Sequence, residues 1–244
     1  DVEFTELISI SNGELSSSGG EIRFDKGLDL SGGKVEIHNS NIIFGSEPGN
    51  EVSLVQTGTA ATFDAGSSSL QLIQNLTFQS NSELVFQSLD LNSRKLTLVN
   101  ETSDLSLKNQ LILDETSEKI ITGTADLKLE GGIQMSAGEI TSNGGTLILS
   151  ETSPNLFQND AVLELLNTNL ESADSGESIL TLDGEPNLSM NGGSITRITL
   201  ERTEGTVGTI STRGEVTCLA SCQGFDETGS YGFNIHGLYR EVVS

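Results

Sequence analysis

Phenylalanine returns along this chain at an almost fixed interval, and that recurrence constrains the fold more than any other feature. Phe4, Phe24, Phe44 and Phe63 are separated by 20, 20 and 19 residues, and each is the third residue of a short apolar piece: VEF, IRF, IIF and ATF. The same slot continues as LVF at Phe86, LSL at Leu107, LKL at Leu129 and LIL at Leu149, with steps of 23, 21, 22 and 20. A period of this size marks a repeating unit too small to bury its own apolar face, so each unit must stack on the next. Within a period two further triplets appear, such as LDL (28–30) and VEI (35–37), or LDL (89–91) and LTL (96–98). Each alternates in-out-in, the period of two that a strand with one buried face requires.

Three short strands per turn make a triangular coil. Its corners are marked by Gly19-Gly20, Gly32-Gly33, Gly131-Gly132, Gly144-Gly145 and Gly192-Gly193, where a positive φ is tolerated. The pattern predicts an all-β chain: a right-handed parallel β-solenoid of about ten coils near 20 residues each, a rod of roughly 50 Å at the strand spacing of a sheet. Its core ladder is Phe4, Phe24, Phe44, Phe63, Phe86, Leu107, Leu129 and Leu149, with looser register from 150 to 215. The same strands could build an antiparallel β-sandwich, but that fold does not require a 20-residue recurrence of one residue type.

Composition agrees with the solenoid. Only 34% of residues are hydrophobic and 5% aromatic, lean for a globular core but sufficient for the narrow interior of a stacked rod. With 35 acidic against 12 basic residues the net charge is -23. Such a surface repels nucleic acid and anionic lipid, and it suits solubility or divalent cations bridging surface carboxylates. No stretch approaches the roughly 20 apolar residues of a membrane span, so membrane insertion is not expected. The chain opens on Asp1-Val2-Glu3-Phe4 with no charged or apolar leader, so any signal is expected to have been removed or to lie outside this sequence.

Texture changes near residue 216. The segment 216–244 holds Cys218, Cys222, Phe225, Tyr231, Phe233, His236 and Tyr239. A solenoid end exposes an unpaired sheet edge, so this segment is expected to be a cap or an assembly contact on the 1–215 solenoid. No comparable cap precedes the first coil, which is expected to meet a neighbour or a preceding segment. Cys218 and Cys222 stand in a C-x3-C spacing without a second Cys pair or a nearby His cluster, which argues against zinc there. A short-range disulfide, a bridge to another chain and two free thiols all remain open, and a polar repeat protein favours an oxidising extracellular setting. Sequons at Asn75, Asn100 and Asn187 are candidate glycosylation sites, of a frequency that abundant Ser and Thr produce by chance.

The pieces GGEI (19–22), GGKV (32–35), GGTL (144–147) and GGSI (192–195), with FQSN at 78–81, resemble the passenger regions of bacterial surface adhesins. These include autotransporters, filamentous-haemagglutinin-type secreted proteins and the polymorphic outer-membrane family with its GGA[IV] and FxxN repeats. The resemblance covers roughly residues 2–215, implies a surface or secreted role, and transfers no functional residue.

Parallel β-helices also include carbohydrate-cleaving enzymes, whose sites need paired carboxylates on one face. Asp25 and Asp64 each follow a ladder Phe, but Gly45 occupies that slot in the coil between them. Arg23, Arg94, Arg197, Arg202, Arg213 and Arg240 are scattered, and neither His38 at a strand end nor His236 sits in a nucleophile motif. Threonines form no flat Thr-x-Thr ladder of the ice-binding kind. The expectation is a non-enzymatic extracellular or cell-surface structural protein, such as an adhesin, filament or sheath subunit, that forms a homo-oligomer or polymer and holds no cofactor beyond surface cations. Surface glycans are a further expected partner. The alternative is a β-helix carbohydrate-active enzyme or binding module.

Overall fold

In the computed structural model the chain winds through three short strands per turn and lays each strand beside its counterpart one turn later. The structure describes residues 1–47, 51–203, 206, 209–213, 215–223, 234–235 and 238–241; beyond residue 206, side chains are described for 216–220 alone. Nine turns of three strands run from Val2–Phe4 to the first half of Ser194–Arg202, and further parallel strands continue the stack beyond it, in keeping with the expected stack of about ten coils. All strand pairs among the described residues are parallel, which excludes the antiparallel sandwich. The architecture is a parallel β-solenoid, in agreement with the right-handed β-helix anticipated from the repeat.

The first face begins with Val2–Phe4, Glu21–Phe24 and Asn41–Phe44, the second with Ile8–Ile10, Leu28–Leu30 and Glu51–Gln56, and the third with Glu14–Ser18, Lys34–His38 and Thr62–Asp64. Alternation along each strand sends one set of side chains inward. In Lys34–His38, Val35 and Ile37 are fully buried while Lys34, Glu36 and His38 face out. The parallel pairing continues through Thr209–Arg213, Glu215–Gln223, Asn234–Ile235 and Leu238–Glu241. Between 150 and 200 the turns lengthen, with Leu163 opposite Leu188 and Leu165 opposite Met190, yet the register holds.

The ladder read from sequence divides into two. Phe4, Phe24 and Phe44 stack on the first face, with ring centroids 5.3 Å apart at each step. Their next partner is Leu72, not Phe63. Phe63 stands on the third face opposite Val35, and packs 6.2 Å from Phe86. From Phe86 the third-face column proceeds through Leu107, Leu129 and Leu149. The cause is one long turn: Ile42 pairs with Leu70, 28 residues on, because extra residues enter the corner after Phe44 and the following strand runs from Glu51 to Gln56. Nineteen residues beyond Phe44 therefore fall short of a full circuit.

The corner between the second and third faces holds a buried polar column that apolar periodicity does not reveal. Ser80 Oγ donates to Gln56 Oε1 (3.0 Å), Ser103 Oγ accepts from the Ser80 N–H (2.9 Å), and Thr168 Oγ1 accepts from the Gly144 N–H (3.2 Å) while lying 3.1 Å from Ser142 Oγ. These groups satisfy backbone polar atoms that the bend releases from the ladder. Gly193 turns the same corner in a later turn at φ +88°, where an added Cβ would lie 2.1 Å from the Thr168 carbonyl oxygen of the preceding turn.

Two contrasts test this packing in urea denaturation. Phe24→Ala, in a fully buried ring stacked on both sides, should cost about 3–5 kcal/mol, and Phe4→Ala, in the partly buried first ring, clearly less. Gly193→Ala should cost about 2–3 kcal/mol through backbone strain plus collision. Gly13→Ala, at φ +92° with nothing within 4 Å, should cost about 1 kcal/mol from the left-handed backbone alone.

Candidate functional site

Stacking turns outward side chains, as well as inward ones, into rows. On the third face Glu36 lies directly opposite Asp64 of the following turn, and His38 is the next outward residue along the same strand as Glu36. In the preceding turn the residues opposite Glu36 and His38 are Ser16 and Ser18, whose short side chains leave room above the pair. Ligating atoms of Glu36, His38 and Asp64 all lie within 4.8 Å of one another, with Glu36 and His38 half-buried and Asp64 exposed.

Backbone contacts hold the three in place. The His38 carbonyl accepts from the Gly19 N–H and from Ser40 Oγ, each at 2.9 Å. Asp64 Oδ1 accepts from the Gly66 N–H at 3.2 Å. Lys34, two residues before Glu36, places its Nζ 2.5 Å from the Glu36 carboxylate. The hydrogen bond to Glu36 is the main cause holding the Lys34 ammonium above its ordinary pKa; its partial desolvation opposes this, and the charges of Glu36, Glu14 and Asp64 add to it. Three carboxylates, those of Glu14, Glu36 and Asp64, thus surround one ammonium and leave the patch net negative. An imidazole beside two carboxylates is a donor set for a divalent metal rather than for an anionic substrate.

The other sequence candidates do not converge. Asp25 lies at the corner after Glu21–Phe24, almost wholly buried, with Oδ1 lacking a hydrogen-bond partner, whereas Asp64 faces outward on the third face. The two carboxylates follow Phe residues of different faces, so the carboxylate pair considered from sequence is not assembled. Arg23 pairs with Glu21 at 3.4 Å, Arg94 Nε donates to the Ile73 carbonyl at 2.8 Å, and Arg197 donates to the carbonyls of Gly176 (3.2 Å) and Asp174 (2.7 Å). These last two arginines clamp corners. Arg202 ends the strand Ser194–Arg202; the side chains of Arg213 and Arg240, and the whole of His236, lie outside the described residues.

Asn75 and Asn187 each begin a second-face strand and are exposed, and Asn100 occupies a turn. Cys218 is buried opposite Ile195, and the backbone of Cys222 is opposite Ile198, across the corner made by Arg197 at φ +55°. The Cys222 side chain lies outside the described residues.

A second feature is the edge of the first turn, which no strand covers among the described residues. Phe4, Ile8, Ile10 and Leu15 are only partly buried, although their partners Phe24, Leu28, Leu30 and Val35 are 0% exposed. The Ile8 N–H donates to the Gly27 carbonyl, and the Ile10 carbonyl accepts from the N–H groups of Ser31 and Gly32. Alternation then turns the N–H and C=O of Ser9 to the free side. Val2 and Leu7 add apolar surface at the rim, 48% and 51% exposed.

Sequence reasoning placed His38 at a strand end and Asp64 after a ladder Phe but did not join them, because their adjacency depends on the 28-residue turn. No family model, curated protein or solved structure matches the chain.

Proposed function

We propose that the protein is a non-enzymatic structural rod of an extracellular or cell-surface setting, an adhesin, filament or sheath subunit, that self-associates end to end. The observation carrying this reading is the open edge of the first turn. Three strands there, Val2–Phe4, Ile8–Ile10 and Glu14–Ser18, present unpaired backbone groups beside half-covered apolar side chains. An edge of that kind accepts another set of parallel strands. The proposed partner surface on a second copy is the edge of its last described strands, Asn234–Ile235 and Leu238–Glu241, and such a head-to-tail contact repeats into a filament instead of closing on itself.

Asp1, Glu3, Glu6 and Glu14 make the rim of the edge acidic, and the chain carries net charge -23. Repulsion between copies therefore opposes docking at low ionic strength and is screened by salt. A disulfide between Cys218 and Cys222 belongs to the same proposal, since backbone register sets the two residues on either side of one corner. An oxidising compartment would preserve it.

Sedimentation velocity over a range of protein concentrations should show oligomers whose population grows from low to half-molar salt. Ser9→Pro removes only an N–H that points to the free edge, so it should leave the thermal melt nearly unchanged and reduce association at least tenfold. A strictly monomeric parent chain at every concentration and salt would overturn the proposal. Mass spectrometry of the non-reduced chain should find Cys218 and Cys222 within one intramolecular bridge, with two alkylatable thiols as the contrary result.

A further inference from the structure

We infer that Glu36, His38 and Asp64 form a binding site for a divalent transition-metal ion of the zinc class on the third face of the rod. The site rests on register: Glu36 and Asp64 are cross-strand partners, and His38 is one outward position along from Glu36. Both strands are fixed by the ladder, and the backbone around His38 is tied to the neighbouring turns by Gly19 N–H to the His38 carbonyl and by Ser67 Oγ accepting from the Asn39 N–H. The donors therefore start from anchored Cα positions, the arrangement that gives a surface site its pre-organisation.

Distance agrees with the assignment. Ligands about 2.0–2.2 Å from a zinc ion lie roughly 3–3.5 Å from one another. The present separation, within 4.8 Å, closes by rotation of outward-facing side chains without moving a strand. The imidazole of His38 makes no hydrogen bond among the described residues, and Asp64 engages only Oδ1, through Gly66, so a nitrogen and an oxygen are left to bind. Two carboxylates balance the double positive charge. Lys34, the one cation there among the described residues, pairs with Glu36 and is displaced or remains at the rim.

The donor set also selects the class of ion. Calcium takes six to eight oxygen ligands, and magnesium keeps most of its waters, so neither gains from an imidazole. Zinc, cobalt and nickel bind imidazole and carboxylate together. Three protein ligands leave further positions for water or for a donor from another molecule.

Isothermal titration of the full chain with Zn²⁺, in millimolar Ca²⁺ to occupy the many other surface carboxylates, tests the site. One saturable equivalent per chain is expected, with His38→Gln and Asp64→Asn each weakening it at least tenfold. His236→Gln should bind as the parent does, which separates this site from the only other histidine. Co²⁺ in place of Zn²⁺ should give a visible absorption band that His38→Gln abolishes. Because all three ligands face outward, the variants should keep the parent circular dichroism and melting temperature without metal. Uptake that never saturates, binding unchanged by both His38→Gln and Asp64→Asn, or loss on His236→Gln alone would overturn the assignment.

Discussion

The coil-to-coil ladder is the interaction on which the rest of this molecule depends. Parallel strands about 4.8 Å apart bring residue positions into columns, so a side chain packs mainly against its equivalents one turn before and one turn after. Inward columns, such as Phe4, Phe24 and Phe44, become the core. Between the faces, corners must satisfy the backbone groups that leave the ladder, and the hydroxyl and amide groups of Gln56, Ser80, Ser103 and Thr168 do this with few large residues. A core of this form explains how a chain that is only 34% hydrophobic folds at all.

The same columns organise charge on the outside. Lys119 meets Glu139 at 2.5 Å across adjacent turns, and Glu130 is shared by Lys108 (2.7 Å) and Lys128 (3.2 Å). The Lys119 hydrogen bond holds the Glu139 carboxyl below the usual carboxylate range despite its partial burial. Burial pushes Glu130 upward, but its two lysines outweigh this and leave it lowered. Both glutamates therefore add stability that is present above the ordinary carboxylate pKa and is lost as pH falls through their lowered values. Asp104 is the reverse case: burial, with Asp126 and Glu83 nearby, raises it, so it favours the fold at low pH and opposes it once ionised. These pairs are half-exposed and individually weak, so they moderate the repulsion of a chain at -23 rather than define its shape.

Function in such a rod is confined to its faces and ends, since the interior is filled by its own columns. The third face near the first turns carries the Glu36, His38 and Asp64 group, and the first turn presents the open edge. Both lie toward the same end of the rod, yet they draw on different chemistry: outward side chains in one case, axial backbone groups in the other. The proposed docking along the axis would use the N–H and C=O of residues such as Ser9, while the proposed metal on the face would use none of these, so neither proposal depends on the other.

The sequence by itself determined the class of fold, because the in-out-in triplets and the Phe and Leu recurrence report local periodicity, which strand geometry reads directly. It also marked the outward position of Glu36 and the strand-end position of His38, two residues apart on one strand. It could not give the register between turns. Turn length is set by corner insertions that an acidic, Gly- and Ser-rich surface absorbs freely, and one such insertion after Phe44 makes a 28-residue circuit. That circuit moves Phe63 to the third face, sets Leu72 above Phe44, and brings Asp64 opposite Glu36. Only the tertiary structure decided these neighbours, because cross-turn contacts follow from the accumulated length of the path around the coil and not from any short stretch of it.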